Sequence, residues 1–153
     1  MSVLQIKEAL PVNVNVTDIP FNAFLKIEKA SVDSSHLLHL QESPFHLNHV
    51  GTVHASVQLA LAEASSGQWL MQAMPELADK VIAVVRRVEA KFKKPMQGAI
   101  FSRATTSLDE IRRSAEPLAT KGRSLVPVTI EIVDGSDNVG LVATFEWFAA
   151  NRE

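Results

Sequence analysis

Cysteine is absent from the chain, and with it go disulfides, thiolate nucleophiles and cysteine-ligated zinc. That composition suits a reducing compartment. A basic excess is missing too: 15 Lys and Arg against 17 Asp and Glu leave a formal charge of -2, without the field that holds a polyanion at physiological salt. Nucleic acid is therefore not an expected partner. No Pro/Gly/Ser linker, charge block, low-complexity tract or internal repeat divides the sequence, so one domain spanning 1–153 is expected. Met1 to Leu10, with Lys7 and Glu8 between short apolar stretches, has neither the basic head and apolar core of a signal peptide nor the length of a membrane span. The expectation is a cytoplasmic protein with no membrane partner. What the chain does have is 46% hydrophobic residues in 153, enough to bury a core unaided.

Those hydrophobic residues are patterned. Val88, Ala90 and Phe92 alternate with Arg87, Glu89, Lys91 and Lys93 after an apolar lead-in from Val81 to Val85, the period of a half-buried strand. Val126, Val128, Ile130 and Ile132 form a second such run, and Leu141, Ala143, Phe145 and Trp147 a third. The turn residues Asp134-Gly135-Ser136-Asp137-Asn138 between the last two predict an antiparallel hairpin, with Pro127 at an edge or a strand start. Ile100 to Thr106 reads as a shorter strand, and Phe24 to Ala30 and His36 to Leu40 as weaker ones.

Two segments read as helix. From about Val53 to Met74 the chain is apolar over most of the helical circumference, so that helix should be buried. A second begins at Ser107 with Glu110 three residues on as a capping box, and Lys121-Gly122 closes it unless Pro117 ends it earlier. One buried helix followed by an antiparallel meander predicts an α+β fold with the sheet wrapped around the helix.

The segment His46-Leu47-Asn48-His49-Val50-Gly51-Thr52-Val53-His54-Ala55-Ser56, followed by Glu63, resembles the signature of the PaaI-like thioesterase branch of the hot-dog superfamily. In that family an Asn and a Gly-containing turn precede a His-Gly-Gly at the start of the central helix, and an acidic residue follows on the helix. Asn48, Gly51, His54 and Glu63 fall in register with this pattern. Here His54-Ala55-Ser56 replaces the His-Gly-Gly, and Val85 stands where some members carry a polar residue. The resemblance implies a hot-dog fold and hydrolysis of an acyl thioester, with coenzyme A as part of the substrate and no separate cofactor or metal. It also implies a homodimer, or a tetramer built from two, in which Glu63 of one subunit faces the Ala55 amide of the other.

Thioester hydrolysis needs a donor aimed at the developing oxyanion and a base or nucleophile near the carbonyl carbon. A helix starting near Val53 or His54 leaves its first amides without intrahelical acceptors, so the Ala55 N–H can serve as the donor even without glycine. Glu63 would be the base or the nucleophile, Asn48 would orient water or carbonyl, and His54 would brace the Gly51 turn. Each residue also has a plainer role: Glu63 in a structural ion pair, His54 as a helix cap, Asn48 as a turn former. Ser56 and the basic run Arg86, Arg87, Lys93 and Lys94 are candidates for holding the substrate and its phosphates, with Arg123 a further cation; a solvated strand face is the alternative for that run. His36, His39, His46 and His49 cluster before the helix, at spacings that match no metal motif.

Two other functions compete. His49 and Glu63 also stand at the separation used by hot-dog β-hydroxyacyl dehydratases, although the Pro-Gly pairs of those enzymes are replaced here by Gly51-Thr52 and Val57-Gln58. Val85 and the missing glycines favour a third, an acyl-binding protein without turnover. Trp69, Met71 and Met74 near the helix end are candidates to shape an acyl pocket.

Overall fold

The computed structural model describes residues 15–75 and 78–153, so the expectations for Met1 to Leu10 lie outside the described residues. In the expected Phe24 to Ala30 strand, the first residues instead belong to a short helix, α1 (Pro20–Leu25). Pro20 pre-sets φ for its first turn, and Lys26 ends it in a left-handed conformation (φ 64°), its N–H returning to the Asn22 and Ala23 carbonyls. Only β1 (Glu28–Lys29) remains extended, followed by β2 (Leu38–Leu40).

The long helix is α2 (Ala55–Ala73). After it come β3 (Val81–Phe92), β4 (Ile100–Ala104), α3 (Leu108–Ala115), α4 (Pro117–Lys121), β5 (Arg123–Asp134) and β6 (Val139–Asn151). Ser107 and Glu110 form the reciprocal capping box that starts α3. Pro117 divides the expected second helix into two, and Gly122 in a left-handed conformation ends α4. Asp134 builds the β5–β6 turn: one carboxylate oxygen accepts from the amides of Ser136 and Asn138.

The six strands form one antiparallel sheet in the order β1-β2-β4-β5-β6-β3. Alternation in β5 and β6 holds as read: Val126, Val128, Ile130, Ile132, Leu141, Ala143 and Phe145 are buried beneath α2. Small residues at Ala60, Ala62, Ala64 and Ala73 let the helix approach the sheet closely, and the enclosed hydroxyls of Ser65 and Ser102 join the two layers. Pro127 lies inside β5 rather than at its start. The ladder to β4 ends at Ile130, however, so Pro127 has only β6 beside it and its missing N–H breaks no bond. Gly140 is dictated by packing, because a Cβ there would lie 2.0 Å from the sulfur of buried Met96.

The first of the three alternating runs, β3, needs a correction. It pairs with β6 along its length, and Val88, Ala90 and Phe92 lie opposite Phe145, Ala143 and Leu141, on the helix side of the sheet. A bulge at Arg86 keeps Val81, Ala83 and Val85 on that same face. Yet Val88, Ala90 and Phe92 are exposed rather than half-buried, because α2 lies over β4, β5 and β6 and leaves the far half of β3 uncovered. A curved antiparallel sheet around one long helix is the expected α+β, hot-dog arrangement.

Candidate functional site

Asn48 organises the turn before α2. Its Oδ1 accepts from the amides of Val50 and Thr52, both at 3.0 Å, and its Nδ2 donates to Thr52 Oγ1 at 2.8 Å. Its carbonyl accepts from the Gly51 N–H, and Gly51 adopts φ 79°, a conformation glycine reaches without steric cost. The Val53 amide then donates to the Met96 carbonyl at 2.9 Å and the His54 amide to the His46 carbonyl at 2.8 Å, fixing the direction in which the helix begins. The Asn48 side chain is thus engaged as a turn former within its own chain.

His54 is the N-cap of α2, its Nδ1 accepting from the Ser56 N–H at 3.0 Å. With the Ser56 amide engaged in that cap, the Ala55 N–H, on the first helical residue, has no hydrogen-bond partner among the described residues. His54, Ala55 and Ser56 are all exposed, so this donor is open to a ligand. His49 is exposed on the preceding turn and does not line the cavity that contains Glu63.

That cavity, of about 300 Å³, runs between α2 and the β3–β6 half of the sheet. Its walls are mostly apolar: Ala64, Gly67, Leu70, Met71 and Met74 from the helix and its C-cap, Val81 and Ala83 from β3, Trp147 and Ala149 from β6, Val16 and Ile19 from the segment leading into α1, and Phe21 from α1 itself. Its size falls at the lower end of the range for small-molecule sites. Glu63 brings a carboxylate to this wall and makes no ion pair with any Lys or Arg among the described residues. Although part of its side chain stays open in the single chain, desolvation by its apolar surroundings raises its pKa above the ordinary carboxylate value.

Trp147 completes the wall and was read from sequence only as an inward strand position. Its Nε1 donates to Ser66 Oγ at 3.0 Å, Ser66 Oγ donates in turn to the Glu63 carbonyl, and its ring lies 3.4 Å from where a Cβ on Gly67 would stand. Of the three residues expected to shape a pocket, Met71 and Met74 line the cavity. Trp69 does not; its Nε1 donates to the Thr106 carbonyl at 2.7 Å.

Ala55 and Glu63 stand eight positions apart on one helix, about 12 Å along its axis, too far to act together on one carbonyl. Arg86, Arg87, Lys93 and Lys94 are exposed along β3 and its exit, Arg86 pairing with Glu146, Arg87 with Glu89 and Lys94 with Asp134, and none of them lines the Glu63 cavity. Arg123 lies exposed at the start of β5. The cations that border the cavity are others: Arg152 lines it, and Lys80 and Arg112 line the groove beyond. Placed just before β3, on α3 and just after β6, they form no run that a linear reading can detect.

Among the described residues no group of three His, Asp or Glu side chains converges to hold a metal ion, and no helix is long and apolar enough to cross a membrane. His36 and His39 pack on the ring of Phe101 and approach Asp137 and Glu28 respectively.

Residues 17–148 match a family model described as a domain of unknown function, DUF4442. No functionally curated protein matches the chain. Solved structures do. A Pseudomonas aeruginosa protein of unknown function, designated a probable thioesterase, superposes with a TM-score of 0.75 at 15% identity, over 99% of this chain and 97% of that one. A thioesterase from Haemophilus influenzae gives 0.62 at 12% identity, over 99% and 92%. A Bacillus halodurans protein solved with CoA gives 0.62 at 17% identity, over 84% and 74%. At these identities the likeness concerns the fold.

Proposed function

From a protein that belongs to the DUF4442 family and carries the hot-dog fold, we propose an acyl-CoA thioesterase of the PaaI-like kind, acting as a homodimer on the thioester bond. The observation that carries this reading is Glu63: a carboxylate without a cationic partner among the described residues, on the wall of an apolar cavity, with its pKa raised. A structural ion pair is the role that its surroundings do not support. A carboxylate so placed holds its proton more tightly than a solvated one and is a better general base once ionised.

In the reaction proposed, Glu63 takes a proton from water as the water oxygen bonds to the thioester carbonyl carbon. The carbonyl oxygen becomes an oxyanion and accepts from the Ala55 N–H of the other subunit, where the helix dipole adds to the attraction. The C–S bond then breaks, and the proton held on Glu63 passes to the departing thiolate. Acid and thiol are the products, and no cofactor beyond the substrate's own coenzyme A is required. Asn48 and His54 act by holding the turn and the cap that aim the Ala55 amide. Pairing two subunits is required because about 12 Å of helix separates amide and carboxylate within one chain.

The test is free-thiol release from a panel of acyl-CoAs. Turnover by the wild-type protein, reduced about 10²- to 10⁴-fold in Glu63→Gln, is the expected result. Turnover unaffected by Glu63→Gln, or hydration of a crotonyl thioester dependent on His49, would overturn the reading.

A further inference from the structure

We propose that the basic groove beside the Glu63 cavity, where Lys80, Arg112 and Arg152 converge, seats the phosphate-bearing end of the thioester's carrier. This rests on the thioester reading above and assigns the carrier end of the same ligand. The groove, of about 670 Å³, lies between α3, α4 and the ends of β3 and β6. Met74 and Arg152 line both it and the Glu63 cavity, so the two spaces adjoin.

Three cations and one carboxylate, that of Glu116, line the groove, and Arg112 is also paired with Asp109 at 3.0 Å. Lys80 makes no ion pair among the described residues. Arg152 is tied to it through the backbone, its amide donating to the Lys80 carbonyl at 2.7 Å, while its guanidinium Nε is enclosed and has no hydrogen-bond partner among the described residues. Its fixed positive charge stands on the wall that the groove shares with the Glu63 cavity, where an anionic group would meet it. Arg112 is aimed into place by its Nε, which donates to the Ala73 carbonyl at 3.0 Å at the end of α2.

The separation fits as well. From Glu63 to Met74 is eleven helical positions, about 16 Å of axis. The pantetheine arm between a thioester sulfur and the first phosphate has the length of about four extended residues, ~14 Å. The arm is thus about as long as the stretch of helix between Glu63 and Met74, which lines both spaces, and its gem-dimethyl and methylene groups suit the apolar walls between.

The experiment is calorimetric titration of the full chain with coenzyme A, 4′-phosphopantetheine and pantetheine, for the wild type, Lys80→Glu and Lys80→Glu/Arg152→Glu. Coenzyme A binding should weaken about threefold in the single variant and tenfold or more in the double, with pantetheine binding unchanged, as expected for charge reversals at a phosphate site. Equal sensitivity of phosphopantetheine would assign the effect to the first phosphate and admit a carrier protein's prosthetic arm; sensitivity of coenzyme A alone would assign it to the nucleotide phosphates. Either pattern supports the groove. Lys80 is exposed, so its variant keeps the test open if the double variant does not fold. Coenzyme A affinity indifferent to Lys80→Glu, a matching loss for pantetheine, or no wild-type binding of either phosphorylated ligand would overturn the proposal. Phosphate-dependent binding without hydrolysis of any thioester would sink the hydrolase reading and leave the groove standing.

Discussion

The uncovered half of β3 predicts what would hold the proposed dimer together. Val88 and Phe92 face the helix side of the sheet but remain 43% and 44% exposed, and β3 is the last strand in the sheet order. Fully burying a Val or Phe side chain contributes roughly 1.5–3 kcal/mol, so covering these exposed fractions is worth ~0.7 kcal/mol for Val88 and ~1.3 kcal/mol for Phe92. A two-fold axis counts each twice, giving ~4 kcal/mol, or about a thousandfold in the dissociation constant. Val88→Lys/Phe92→Lys should therefore turn a dimer into a monomer at micromolar concentration, since the lysines also remove the apolar surface and repel their counterparts. Light scattering and sedimentation velocity over a dilution series would show it, with thiol release measured on the same samples. If Ala55 and Glu63 act across subunits, turnover must fall with the dimer fraction. An unchanged oligomer would refute the assignment of this face, and a monomer with full turnover would refute the composite site.

Other perturbations address single residues. Because Glu63 must be ionised to act as base and its pKa is raised, thiol release should fall away on the acid side at a pH above the ordinary carboxylate range; a profile flat through that range excludes Glu63 as the base. The same shift means that the folded chain holds this proton more tightly than the unfolded one. Stability from Glu63 is therefore full below its unfolded pKa and declines as pH rises through the folded pKa, and Glu63→Gln should remove that decline in denaturant midpoints followed from pH 4 to pH 8. Ala55→Pro keeps a first-turn residue that helices accept but deletes the N–H, so turnover should drop about 10²- to 10³-fold with little change in melting temperature. Gly140→Ala drives a Cβ into Met96 and should cost about 1–3 kcal/mol in chemical denaturation; a neutral result would mean that Met96 moves aside freely. Ser107→Ala should cost about 1 kcal/mol near neutral pH, and the loss should shrink as acid protonates Glu110, whose carboxylate the cap holds below its usual pKa.

Local signals carried much of this architecture. The Ser107–Glu110 capping box, the Asp134–Asn138 turn and the period-two runs of β5 and β6 are interactions between near neighbours or the repeat of one strand, and each is legible wherever it occurs. The apolar helix and the turn at Asn48 and Gly51 belong to the same class. The Phe24 to Ala30 misreading was local too: a brief alternation outweighed Pro20, whose fixed φ starts a helix there.

What sequence could not settle are properties of arrangement. Periodicity placed Val88, Ala90 and Phe92 on one face and was right about the face. Whether anything covers it depends on where α2 crosses the sheet, and it crosses short of β3. Glu63 stood out as a charge in an apolar helix, but that it makes no ion pair with a Lys or Arg among the described residues required the fold. The cations beside its cavity come from the start of β3, from α3 and from beyond β6, so charge density along the chain pointed to Arg86 and Lys94 instead. By itself the sequence determined most of the elements and the turn and cap at the start of α2, because these follow from side chains a few residues apart. Only the tertiary structure decided which face stays open and which charges meet the cavity, because those depend on the packing of residues far apart in the chain.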